Sequence, residues 1–225
     1  MTLLSSSSAA APTISLLGTS ALLFEAPGEM QLPTQRRIWA LSRTAAGWPL
    51  VRETVPGMNN LMLVFEQPPA DLAPLRDALL RQWEVGASVE IEGRLLELPV
   101  VYGGEGGPHL ADVVAHTGLG IDEIVQRHAG PVYTVYALGS HPGYCYLGGM
   151  DMAIATPRRQ VPILNLPGGS VSIGGQQTGV SASAGPSGWN TIGSTPAAFF
   201  DAHKTPPVLL QPGDTVRFRV QKVIA

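Results

Sequence analysis

Charge is scarce in this chain. Asp, Glu, Lys and Arg make up 14% of its 225 residues, and the formal balance is −3 at pH 7. Nucleic-acid binding needs a clustered basic face, and nothing in the sequence suggests one. The single cysteine excludes an intrachain disulfide and fits a reducing compartment. No segment approaches the roughly 20 apolar residues of a membrane span. The opening MTLLSSSSAAAPT lacks the basic region of a signal peptide, and its apolar run is too short. Together these absences predict a soluble, cytoplasmic protein with no membrane partner and a disordered leader at residues 1–12.

Familiar catalytic signatures are missing as well. GGQQTG (174–179) has no Lys before a hydroxyl residue, so it lacks the cation of a phosphate-binding loop. YGGEGGPH (102–109) has His109 where a dinucleotide fingerprint needs its third glycine. There is no G-x-S-x-G elbow and no H-E-x-x-H. The five histidines, at 109, 116, 128, 141 and 203, form no metal-ligand spacing. No resident metal is expected.

What the chain does contain is glycine (26) and proline (20), unevenly placed, with most glycines after residue 100. Two regions of different construction follow, 13–100 and 101–225. The first reads as strand (13–26, with a turn near Gly18), helix (32–47, Ile38, Leu41 and Ala45 on one face), strands 51–55 and 61–66, and helix 71–83. That second helix has Asp71 at its start and a stripe of Leu72, Leu75, Leu79 and Trp83. A last strand is expected within 88–102. The order β-α-β-β-α-β is the ferredoxin-like split pattern. Arg36 and Arg37 sit together on the first helix, a solvated face or a small-anion contact.

The second region has two short helices in 109–130, with Gly118 and Gly130 at cap positions, then many short strands. These are 131–138, 170–175, 178–183, 189–193, 207–210 and 215–220. In the last, Val216, Phe218 and Val220 are expected inward. Short strands separated by turn residues predict a barrel or sandwich. The fold class is therefore α+β.

The stretch GSHPGYCYLGG (139–149) concentrates chemistry in one place. His141 precedes Pro142, which pushes its backbone extended, and its imidazole suits acid–base work near neutrality. Cys145 is either a nucleophile with His141 as base or a small packed hydrophobe. Arg158 and Arg159, in the proline-bounded ATPRRQVP, suit carboxylate or phosphate binding, or form a surface pair.

Six ordered motifs, YGGEGGPHLADVV, GSHPGYCYLGG, ATPRRQVP, LPGGSVSIGGQQTGV, GPSGWNTIGSTP and LLQPGDTVRF, resemble the B-subunit group of the 5-oxoprolinases. This group is also called allophanate hydrolase subunit 1, or the carboxyltransferase C/D domain. The resemblance spans residues 13–222. It implies a ferredoxin-like region followed by a cyclophilin-like β-barrel. It also implies a heteromeric complex with a C-subunit partner, and with a third subunit in some systems. The implied activity is ATP-dependent opening of 5-oxoproline to glutamate, with ATP bound by the complex and the chain inactive alone. Biotin is not expected. Other members imply alternatives: a regulator that binds and inhibits a sensor histidine kinase, or a component of an allophanate- or urea-type enzyme. The residues carried over are Arg158, Arg159, Gln176, Gln177, Thr178 and Trp189, with Tyr144 and Tyr146 lining the cleft and His141 as candidate catalytic group. The chain departs from the family pattern at four places. Ser140 replaces a Phe, VSA (180–182) replaces Ile-Tyr-Pro, Ile163 follows Pro162 where an Arg is usual, and Ser194 stands where another Arg is usual.

Overall fold

The computed structural model describes residues 11–225. The leader expected at 1–12 lies, apart from Ala11 and Pro12, outside the described residues. The chain divides into two compact units between Glu90 and Ile91.

In the first unit β1 (Thr13–Leu17) and β2 (Ala21–Glu25) form a hairpin. Its turn needs a left-handed residue, supplied by Gly18 at φ +62°. Helix α1 (Leu32–Ala45), β3 (Val51–Pro56), β4 (Asn60–Phe65) and α2 (Ala73–Val85) follow. The antiparallel sheet runs β1-β2-β4-β3. Strict alternation in β2 and β4 turns Leu22, Phe24, Leu61, Leu63 and Phe65 onto one face, where they are buried against Ile38, Leu41, Ala45, Leu79 and Trp83. The Asp71 carboxylate accepts the Ala73 N–H at 2.9 Å, which satisfies a donor at the start of α2. Arg36 pairs with Glu90, and the Arg37 guanidinium lies 3.5 Å over the Trp83 ring and donates to the Trp83 carbonyl.

This is a ferredoxin-like sheet, with one difference from the expected strand order. The edge position beside β2 is filled by β1 from the hairpin. The strand expected after α2, β5 (Leu95–Gly103), pairs in the second unit instead. Its inward residues Leu98, Val100 and Tyr102 are buried in the second core. The division accordingly falls at 90, ahead of the expected boundary at 100.

The second unit opens with β5, α3 (Leu110–Thr117) and α4 (Ile121–Ala129). Then come β6 (Tyr133–Leu138), β7 (Cys145–Gly148), β8 (Ile163–Leu166), β9 (Ser170–Gly174) and β10 (Gln177–Val180). The chain ends with β11 (Gly185–Ser187), β12 (Asn190–Ser194) and β13 (Thr215–Ile224). Seven of these close a barrel in the order β10-β7-β6-β13-β5-β12-β9, while β8 and β11 form a separate ribbon. Within the barrel β5 pairs with β13 in parallel. Asp214 staples the start of that pair, accepting Arg94 N–H, the Arg94 guanidinium and Gln211 N–H at 2.8–2.9 Å. Val216 and Phe218 face the core as expected, but Val220 is 48% exposed. There β6 no longer pairs with β13, and the register shifts beyond Val220. Residues 207–210 make only an isolated bridge, Phe200 to Val208. No helix among the described residues is long and apolar enough to cross a membrane.

Candidate functional site

Gly-rich strands leave room for rings, and the site follows from that. On β9 a Cβ at Gly174 would stand 2.4 Å from the Trp189 ring, so only glycine seats the indole there. On β10 a Cβ at Gly179 would stand 2.9 Å from the Tyr144 hydroxyl. Tyr144 reaches this position because Pro142-Gly143 turns the chain, with Gly143 at φ +81°. The His141 carbonyl accepts the Tyr144 N–H, and Gly139 N–H donates to the Tyr144 carbonyl. The stretch 139–149 thus closes a tight turn and enters strand β7.

The result is a cleft of about 230 Å³. Tyr144 is its centre: the Tyr146 ring lies 5.0 Å away edge-on, His141 at 5.1 Å and Trp189 at 6.3 Å. Arg158 lies 5.7 Å from the Trp189 ring centroid, a cation–π approach. No carboxylate among the described residues pairs with Arg158, although Arg94, Arg127, Arg159, Arg217 and Arg219 of this unit each hold one. The His141 Nε2 is shielded from solvent and has no hydrogen-bond partner. Burial, then the neighbouring Tyr146, pushes the Tyr144 hydroxyl above the ordinary phenol range, so it stays a proton donor. Ser172 and Ser187 add hydroxyls to the wall.

The structure thus brings together His141, Tyr144, Tyr146, Arg158 and Trp189. It separates the other candidates from them. Arg159 binds Asp112 at 2.9 Å, and its backbone N–H pins the Gly188 carbonyl of the cleft rim. Gln176 is exposed at the β9–β10 turn, and Gln177 pairs across to Gly174; neither lines the cleft. Thr178 is fully buried in the barrel. Cys145 is 2% exposed in the core, and burial pushes its thiol up to about 12, so it forms no thiolate near neutrality. It is a packed hydrophobe rather than a nucleophile.

Sequence reasoning missed a buried polar chain. His128, with no exposed surface, takes the Tyr102 hydroxyl at 2.7 Å on Nδ1 and Thr178 Oγ1 at 2.8 Å on Nε2. Thr178 in turn donates to the Ser172 carbonyl at 3.1 Å. With Thr178 donating onward, Nε2–H donates to Thr178 and Nδ1 accepts from Tyr102. The ring stacks on Phe218 at 4.6 Å. Burial lowers this imidazole to about 3, so it stays neutral and the chain is fully satisfied. Ser172 belongs to the cleft, so this network props the cleft floor from inside. The sequence carries one weak signal of it: His128 sits on the buried face of α4, four residues after Ile124. His109 is another structural histidine, its Nδ1 accepting Thr191 N–H at 2.9 Å.

Residues 12–210 match the family described as carboxyltransferase domain, subdomain C and D. The chain is 44% identical over 207 residues to the 5-oxoprolinase B-subunit of Escherichia coli O157:H7, covering 92% of this chain and 95% of that one. It is 40% identical over 207 residues to the 5-oxoprolinase B-subunit of Haemophilus influenzae, covering 92% and 97%. A conserved uncharacterized protein from Pyrococcus horikoshii superposes with a TM-score of 0.57 at 36% identity, covering 93% of this chain and 98% of that one. The Kluyveromyces lactis urea amidolyase superposes at 0.80 with 16% identity over 94% of this chain and 15% of its own, a likeness of fold alone. With the family match and the relatives in agreement, the chain belongs to the carboxyltransferase C and D subdomain family.

Proposed function

We propose that this chain is one component of a 5-oxoprolinase, which opens the cyclic amide 5-oxoproline to glutamate. The relatives named as 5-oxoprolinase B-subunits support it, each covered over nearly its whole length. The observation that carries the reading is the cleft in which unpaired Arg158 and unpartnered His141 flank an aromatic floor. A 5-oxoproline molecule has a carboxylate, an apolar ring edge and an amide, and the cleft offers a counterpart to each. Arg158 holds the carboxylate by charge-assisted hydrogen bonds. Tyr144, Tyr146 and Trp189 wall the ring. His141 delivers a proton to the ring nitrogen as its bond to the carbonyl carbon breaks, and the oxygen of water ends in the new carboxylate.

ATP, the co-substrate of this reading, does not fit the cleft. A triphosphate needs several cations or a cradle of backbone N–H groups, whereas the cleft holds one arginine and the glycine turn at 174–176 has no lysine. We assign nucleotide binding to the partner chains, a C-subunit homologue first among them, and expect the chain to be inactive alone. Reconstitution tests this. Co-expressed chain and partner should hydrolyse ATP only with 5-oxoproline present, each alone should not, and His141→Ala should lower turnover by about 10²–10⁴ in a complex that still assembles. A well-formed complex without 5-oxoproline-dependent turnover would contradict the proposal.

A further inference from the structure

One row of residues crosses the barrel wall beneath the cleft. Tyr146 on β7, Gly179 on β10, Ser172 on β9 and Thr191 on β12 stand opposite one another in neighbouring antiparallel strands. Residues paired this way share a face of the sheet. The next residues along the strands, Leu147, Val180, Ile173 and Ile192, turn the other way into the barrel core. Gly179 brings no side chain to the row, and the Tyr144 hydroxyl takes that place, 2.9 Å from where a Cβ would stand. Two hydroxyls thus occupy adjacent places, Ser172 on one strand and Tyr144 over the next.

Hydrogen-bond accounting fixes where their protons go. Ser172 Oγ lies 3.1 Å from Thr191 Oγ1. Thr191 has no exposed surface, and its hydroxyl meets no other partner among the described residues. If Ser172 donated, the Thr191 proton would be buried without an acceptor, which folded proteins avoid. Thr191 therefore donates and Ser172 accepts, and the Ser172 proton is left over. Ser172 is 4% exposed and lines the cleft, so the cleft is where that proton finds an acceptor. The Tyr144 hydroxyl also bonds to nothing among the described residues, and burial keeps it protonated.

We infer that Ser172 and Tyr144 are a pair of hydroxyl donors for one ligand oxygen, the carbonyl oxygen of the cyclic amide. The inference deepens the reading of the cleft as the 5-oxoproline site and rests on it. A pair of donors selects an acceptor, and the ring amide has one, its carbonyl oxygen. The carboxylate is the other acceptor of the molecule, and the Arg158 charge matches it better than neutral hydroxyls do. The pair thereby orients the ring, amide edge to the barrel wall and carboxylate to the arginine.

The test is a calorimetric titration of the assembled complex with three probes. They are 5-oxoproline, 3-oxocyclopentane-1-carboxylate, which keeps the ring, carboxylate and carbonyl, and cyclopentanecarboxylate, which lacks only the carbonyl oxygen of the second. Ser172→Ala and Tyr144→Phe should each weaken the two carbonyl probes by about 2–12-fold, the worth of one neutral hydrogen bond. Both should leave cyclopentanecarboxylate unchanged. Ser172→Ala made together with Thr191→Val, which leaves no hydroxyl buried without a partner, should give the same selective loss. Thr191→Val alone should not tighten 5-oxoproline; tighter binding would mean that Ser172 had been donating to Thr191, and overturns the assignment. Equal loss of the ketone and the hydrocarbon, or loss of neither, overturns the donor pair, while 5-oxoproline binding keeps the 5-oxoprolinase reading. If the ketone shows the selective loss and 5-oxoproline does not bind, the pair stands and that reading falls. If none of the three binds, both fall.

Discussion

The two units bury their interiors in different ways. The first packs apolar side chains, Leu22, Phe24, Leu61, Leu63 and Phe65, against two helices, with the buried Gln35 amide bridging the Gly57 carbonyl and the Asn59 N–H at its edge, and its Arg36 and Arg37 engage Glu90 and Trp83. The barrel buries a complete hydrogen-bonded chain, Tyr102 to His128 to Thr178 to the Ser172 carbonyl, and opens a cleft beside it. Apolar contacts are non-directional and tolerate small shifts of the side chains that make them. A chain of three hydrogen bonds does not, and it fixes the strands that border Tyr144 and Trp189. The difference teaches where function resides: substitutions in the first unit should change stability, and those in the cleft should change turnover.

His141→Ala gives the largest expected effect. Loss of a general acid should lower kcat by about 10²–10⁴, with the thermal midpoint of the complex unchanged. A fall in stability without a specific fall in kcat would erase the contrast. Leu63→Ala in the first unit should do the reverse. Truncating a fully buried leucine should cost about 2–5 kcal/mol in denaturant unfolding, while activity per folded molecule is retained. Arg158→Ala comes next, raising KM by about 10–150-fold, the equivalent of the roughly 1.5–3 kcal/mol of a charge-assisted contact. Arg158→Lys should recover part of it.

The smallest effect concerns pH. His128 titrates at 6.5 when exposed and near 3 when folded. Below pH 6.5 the unfolded chain binds a proton that the folded chain refuses. His128 therefore weakens the fold as pH falls from 6.5 towards 3, and costs nothing above that window. The slope approaches about 1.4 kcal/mol per pH unit. In His128→Gln, unfolding curves between about pH 6.5 and pH 4.5 should lose this slope. His109, also lowered by burial and by Arg159 against the opposing Asp112, contributes in the same direction.

Much of this organisation was legible in sequence. Periodicity placed α1 and α2 and their buried stripes, because a helix repeats its face every few residues and the core reads that repeat. The histidine–tyrosine stretch and Arg158 were found because Pro and Gly advertise a turn that presents side chains. Three things were hidden. The β1–β2 hairpin fills an edge that the split pattern reserves for a later strand, and pairing partners leave no local mark. The ribbon strands β8 and β11 are too short to show a period. His128 looked like any helix histidine, since only the closure of the barrel brings Tyr102 and Thr178 to its two nitrogens. The same closure buried Thr178, although its neighbours Gly179 and Gln177 belong to the same motif.

The central claim is that Arg158 holds the substrate carboxylate in the cleft. The most direct measurement is a four-point binding cycle on the assembled complex, with 5-oxoproline and 2-pyrrolidinone, the same ring without the carboxylate, each titrated into parent and Arg158→Ala. The account predicts strong coupling: the substitution weakens 5-oxoproline by about tenfold or more and leaves 2-pyrrolidinone untouched. Equal weakening of both ligands, or of neither, would contradict it.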